Sequence, residues 1–114
     1  MEEGEIVLVI FPQDRKHKPR PALILREFPP YGDILICGIT SQTIQFIPNF
    51  DVLLERNDPA FRETGLKAAS VFRLNMLTMI TKGEVRGRIG KLHQVYFQQL
   101  KDNLALYIRG GKKI

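Results

Sequence analysis

One cysteine, two histidines and no tryptophan occur in the 114 residues of this chain, and each scarcity closes a line of chemistry. A lone Cys37 forms no internal disulfide. Its neighbours in "DILICGIT" are mostly apolar, as expected of a buried structural thiol in a reducing compartment. A nucleophilic thiol needs a base beside it, and no His or carboxylate lies close in sequence. His17 and His93 stand far apart, with none of the close Cys/His pairs of a zinc site, so no metal is expected. A glycine-rich phosphate loop and a dinucleotide fingerprint are also missing, so no cofactor is expected, and no G-x-S-x-G elbow marks a Ser-His-Asp hydrolase. The opening "MEEGEIVLVIFPQD" starts with acids and holds too short an apolar run for a membrane span or a secretory signal. Cytoplasmic location, away from any membrane, is the expectation.

What is present is enough for one domain, 1–114, with 44% hydrophobic residues and so one real core. Lys and Arg number 17 against 12 Asp and Glu, a net charge of +5 that favours a polyanion or an acidic protein as partner. The positive charge is clustered. "DRKHKPRPALIL", 14–25, gathers Arg15, Lys16, His17, Lys18 and Arg20. Further groups are Arg73, then Arg86, Arg88 and Lys91, then Arg109, Lys112 and Lys113. Clustered cations are the footprint of phosphate binding, and solvated loop faces are the plainer alternative for any one of them. Phe11, Phe28, Tyr31, Phe46 and Phe50 lie in or beside expected loops, where they could stack on unpaired bases or pack the core.

The apolar pattern predicts strands at 5–11, 21–28 and 32–40, the first buried on both faces and ended by Pro12, the second and third joined by the turn "PPYG". A loop-like stretch from Ser41 to Pro59 contains a short strand at "DVLLE". "LKAASVFRLN", 66–75, then "MLTMI" and the alternating "VRGRIGKL", 85–92, resume strand character, with Arg86 and Arg88 facing one side. In the tail 93–108, Val95, Phe97, Leu100, Leu104 and Tyr107 or Ile108 recur at helical spacing, and Gly110-Gly111 ends the run. Short strands followed by one amphipathic helix predict a mainly β fold: a small, curled antiparallel β-barrel with the helix packed on it.

"GEIVLVIFPQD", "KPRPALIL", "DILICGITSQ", "TGLKAASVFRLNML" and "RGRIGKL", in that order and followed by a helix, resemble the PemK/MazF-type toxins of prokaryotic toxin-antitoxin pairs. The resemblance runs from about Gly4 to Leu104. It implies an SH3-like barrel of the PemK/MazF/CcdB type, a homodimer, and silencing by a cognate acidic antitoxin. It also implies a sequence-selective, metal-independent endoribonuclease that cuts single-stranded RNA, commonly mRNA. In that reaction the ribose 2′-OH attacks the adjacent phosphorus and leaves a 2′,3′-cyclic phosphate and a 5′-OH.

Carried over by motif, Arg20 is the arginine of the family's "RP" element, in contact with the scissile phosphate. Its guanidinium is a poor proton shuttle, so stabilisation of the transition state is the role expected of it. Thr40, at the end of "GIT", offers a hydroxyl to a phosphate oxygen, and Arg73 in "FRLN" matches a basic position that acts in some members. Ser41, Gln42 and Asn75 are expected to touch RNA, as are Arg15, Lys16, His17 and Lys18. Arg86 and Arg88 are expected to guide its backbone. Family members often carry Asp where this chain has Ile10 and Asn75, and asparagine cannot accept a proton as a carboxylate does. A weakened or inactive RNA-binding or antitoxin-binding barrel is therefore the alternative reading, and a toxin acting on a protein target is a further rival.

Overall fold

Two-residue alternation of apolar side chains gives most of this chain its shape. In the computed structural model, which describes residues 2–12 and 14–111, the strands are β1 (Glu5–Val9), β2 (Arg20–Phe28), β3 (Asp33–Thr40), β4 (Val52–Leu54), β5 (Ser70–Ile80) and β6 (Val85–Lys91). One helix, α1 (Gln94–Ile108), follows. The strands form a six-stranded antiparallel sheet in the order β4-β5-β3-β2-β1-β6. The barrel expected from sequence is an open sheet, with β4 and β6 as its edges. It is nonetheless curled: Val52 and Leu54 of β4 and Ile89 of β6 join one apolar cluster although their strands lie at opposite ends of the sheet.

β1 is buried on both faces, as its sequence predicts. Ile6 packs with Leu23, Cys37 and Phe72 on one side, whereas Val7 and Val9 pack with Ala22, Ile24 and Ile36 on the other. Full burial of each Val, Leu, Ile or Phe among them contributes about 1.5–3 kcal/mol. Desolvation pushes the Cys37 thiol far above its ordinary range, as expected of a structural cysteine.

The helix covers the first of these clusters with Phe97 and Leu100, joined by the partly buried Tyr96 and Leu104. Val95, expected on the same stripe, is exposed, because it sits two residues from Phe97 and so on the far side of the helix. The imidazole of His93 caps the start by accepting from the Val95 N–H at 3.2 Å. Gly110, at φ 78°, ends the helix in the left-handed region.

Two further differences from the sequence pattern matter below. Residues 66–69 are not strand; they form the approach to β5, which runs unbroken from Ser70 through "MLTMI". Within β5 a bulge follows Arg73: Gly38 faces Arg73 but Cys37 faces Leu77, so Leu74, Asn75 and Met76 have no partners on β3. The bulge folds the Met76 side chain across Gly38, where a Cβ would lie 2.6 Å from Met76 Cε.

Candidate functional site

Sheet register brings Arg20, Thr40 and Arg73 onto one face. Val7 pairs with Ala22, Ala22 with Gly38, and Gly38 with Arg73, so these side chains share a row. In the next row of that face Val9 pairs with Arg20 and Thr40 with Val71. Continuing the β2–β3 register sets Arg20 opposite Thr40, with Arg73 as the diagonal neighbour of Thr40 one strand further on. Arg20 opens β2 and Thr40 closes β3, so both sit at the rim of the sheet.

Arg20 is aimed by a residue that the motif reading did not single out. Asp14 Oδ2 accepts from Arg20 Nε at 3.0 Å, while Oδ1 accepts the Lys16 N–H at 3.0 Å. The Asp14 carbonyl takes the His17 N–H at 3.2 Å, and His17 turns the loop at φ 52°. The Arg20 guanidinium, then the Lys16 N–H, hold the Asp14 carboxyl below the usual carboxylate range, so it stays ionised. Only Nε of Arg20 is engaged. Its two Nη atoms have no partner among the described residues, and its side chain is 48% exposed. This is the geometry of a guanidinium fork held ready for an anion. The one signal in the sequence was an Asp able to bond the backbone two residues on, with Arg six residues away.

Thr40 Oγ1 accepts the Gln42 N–H at 3.1 Å, which leaves the hydroxyl hydrogen to donate elsewhere. Ser41 and Gln42 are exposed beside it, as are Arg15, Lys16, His17 and Lys18 in the first loop. Together Arg20, Thr40, Ser41, Gln42 and Lys67 edge a groove of about 700 Å³ whose other walls are largely apolar.

Arg73 donates from Nη1 to Gln45 Oε1 at 2.9 Å, and its Nε is buried without a partner among the described residues. A second overlooked carboxylate sets this arrangement. Asp51, only 2% exposed, accepts the Ile47 N–H at 3.0 Å and the Leu74 N–H at 3.1 Å, tying the loop that carries Gln45 to β5 just beyond Arg73. Nothing in "NFDVLLE" marks that role, because both partners depend on the chain returning from far away.

The remaining candidates are dispersed. Asn75 is exposed within the β5 bulge, and Arg86 is exposed on β6. Arg88 turns to the Glu5 carboxylate and lines a different groove, shared with Glu2, Glu3 and Glu63. A register shift between Leu8 and Val9 leaves Arg86 without a partner on β1, whereas Arg88 pairs with Val7. Of the aromatics, Phe11 and Phe50 are core, whereas Phe28 and Tyr31 are exposed at the β2–β3 turn. Lys112 and Lys113 lie outside the described residues. Among the described residues no helix is long and apolar enough to cross a membrane.

This combination of an open antiparallel sheet and a C-terminal helix recurs in solved toxin structures. The Mycobacterium tuberculosis toxin MazF-mt6 superposes with a TM-score of 0.69 at 18% identity, covering 92% of this chain and 96% of its own. A MazE-MazF structure from Deinococcus radiodurans gives 0.67 at 17% identity, over 95% and 94% of the two chains. An endoribonuclease in complex with its cognate antitoxin, from a mycobacterial species, gives 0.67 at 16% identity over 96% and 95%. No curated protein matches by sequence. These likenesses define the class of fold. The family follows from the sequence model for the "PemK-like, MazF-like toxin of type II toxin-antitoxin system", which matches residues 2–108; the chain belongs to that family.

Proposed function

We propose that this toxin is an endoribonuclease that cleaves single-stranded RNA, commonly mRNA, at selected sequences and without a metal ion. The observation that carries the reading is the Arg20 fork, fixed through Nε by Asp14 with both Nη atoms unpartnered among the described residues, beside Thr40. A phosphodiester at that corner receives the two Nη donors and the Thr40 hydroxyl. Charge gathers on its non-bridging oxygens as the ribose 2′-oxygen bonds to phosphorus and the bond to the 5′-oxygen breaks. The proton leaves the 2′-OH and one arrives on the departing 5′-oxygen, giving a 2′,3′-cyclic phosphate and a 5′-OH. The nucleophile belongs to the substrate, so no water has to be activated. His17, in the exposed loop before Arg20, is the nearby side-chain type able both to accept and to donate a proton. Arg73 adds a second cation on the same face, and Arg15, Lys16 and Lys18 attract the strand.

As partners we propose a cognate acidic antitoxin, suited to the net charge of +5, and a second copy of the chain in a homodimer. Mixed single-stranded RNA incubated with the full chain in EDTA tests the reading. The expected products carry 5′-OH and 2′,3′-cyclic phosphate ends at a restricted set of sequences. Intact RNA that is merely retained, in a salt-sensitive way, would favour the binding-only alternative to which Ile10 and Asn75 point.

A further inference from the structure

We infer that Gln45 is a positioning residue for Arg73, one that fixes the guanidinium beside Thr40 without neutralising its charge. The inference rests on the RNA reading above and adds a residue to which no motif points. Arg20, Arg26 and Arg88 are each held by a carboxylate, from Asp14, Glu3 and Glu5. Arg73 is held by an amide: Gln45 Oε1 accepts from Nη1 at 2.9 Å, and no carboxylate among the described residues forms an ion pair with it. A guanidinium on a carboxylate has part of its charge offset in advance, whereas one on a neutral acceptor brings all of it to an incoming phosphodiester.

Gln45 is exposed, and the bond of an exposed side chain holds only where its backbone is already fixed. Here the segment is pinned at both ends. At the start, Thr40 Oγ1 accepts the Gln42 N–H at 3.1 Å, and the Gln42 carbonyl accepts the Gln45 N–H at 3.0 Å. At the far end β4 pairs with β5 as far as Val52 and Phe72, and just beyond that pair the Asp51 carboxylate joins the Ile47 and Leu74 N–H groups. The Asp51 N–H also donates to the Ile47 carbonyl at 2.9 Å. On the β3 side Arg73 faces Gly38, and the space that this glycine leaves is taken by the Met76 side chain. Arg73 therefore has no room to lie back over β3 and meets the Gln45 segment instead. Its Nε stays buried without a partner among the described residues, so Gln45 supplies the one side-chain bond that sets the fork.

Two measurements on the full chain test the role. Cleavage and retention of one RNA separate geometry from charge. Gln45→Leu frees the guanidinium but leaves its charge, so kcat should fall about tenfold with KM within about twofold. Gln45→Glu keeps an acceptor but offsets the charge, so RNA retention should weaken and its salt slope fall by about one unit, a change that Gln45→Leu does not make. Added to Arg73→Ala, Gln45→Leu should cost less than about twofold more. An equal loss with and without Arg73 would make Gln45 a direct RNA contact and overturn the inference, as would a wild-type kcat in Gln45→Leu or a wild-type salt slope in Gln45→Glu. The nuclease reading survives each of these results. The second measurement needs no cleavage. The Arg73 Nε–H resonance should exchange with solvent slowly in the wild-type and Gln45→Glu proteins and about tenfold faster in Gln45→Leu. Equal exchange in all three would refute the positioning role. Should the wild-type protein cut no RNA, the nuclease reading falls and the exchange rates still decide whether Gln45 fixes Arg73.

Discussion

Arg20 and Arg88 begin from the same local chemistry and end in opposite settings. Each has its Nε on a carboxylate, Asp14 for one and Glu5 for the other, and each side chain is about half exposed. Around Arg20 stand Thr40, Lys67 and a loop of exposed cations, beside an apolar groove. Around Arg88 stand Glu2, Glu3 and Glu63, with Lys91 and Lys101 as the nearby cations. A guanidinium in the first setting has charge to share with an incoming phosphate, whereas in the second it largely offsets the carboxylates about it. Charge count alone would rank the two arginines equally. Their rank is set by the register of β2 on β3 and by what surrounds each carboxylate.

Removing one arginine at a time is the most forceful way to break this comparison. Arg20→Ala is expected to lower RNA cleavage by about 100- to 1,000-fold, the usual loss when a transition-state donor is deleted. Arg88→Ala should leave the rate within about twofold, because an exposed ion pair contributes little. Single-turnover rates on one RNA check both. Next in size are the supports of the groove and of Arg73. Gly65→Ala places a Cβ against the Ile89 carbonyl oxygen in a left-handed conformation, and Asp51→Ala strands the Ile47 and Leu74 N–H groups. Each is expected to destabilise the fold by about 2–3 kcal/mol, measured by denaturant unfolding.

A smaller effect is expected at the aiming carboxylate. Asp14→Asn should reduce cleavage about tenfold by loosening the Arg20 fork, with RNA binding less affected. Its pH dependence has a definite sign. The Asp14 carboxyl is held below its ordinary value, so the support it gives is fully present above about pH 4 and is lost only as pH falls through the lowered value. Wild-type cleavage should therefore carry an acid limb below about pH 4 that Asp14→Asn lacks, read from a pH–rate profile. The mildest change belongs to the loop cations. Lys16→Ala and Lys18→Ala should each weaken RNA retention and reduce its salt slope by about one unit without moving the cut sites.

Much of the fold was legible because alternation and helical spacing are local. Every strand predicted from the apolar pattern is present within a few residues, and the Phe97–Leu100–Leu104 stripe marks the helix. What stayed hidden depends on contacts between distant segments. Asp51 looks like the flank of a short strand until Leu74 comes back to meet it. Residues 66–69 have strand composition, yet the left-handed Gly65 and the seating of Thr64 against β6 make them a wall. Arg88 shares an alternating pattern with Arg86, and only the β1–β6 register shift at Arg86 and the Glu5 carboxylate beside Arg88 give the two different settings. At the site, the motif singled out Arg20 and Thr40, and the geometry supplies the reason that Arg20 is aimed: Asp14, six residues earlier in the same quoted stretch.

The measurement closest to the centre of this reading follows guanidinium resonances rather than products. Nitrogen-edited spectra of the full chain are recorded during titration with a pool of 2′-O-methyl RNA, which binds but cannot form the cyclic phosphate. The Arg20 Nη and Nε signals should shift at sub-saturating RNA while those of Arg88 stay in place. Shifts at Arg88 with Arg20 unmoved would contradict it.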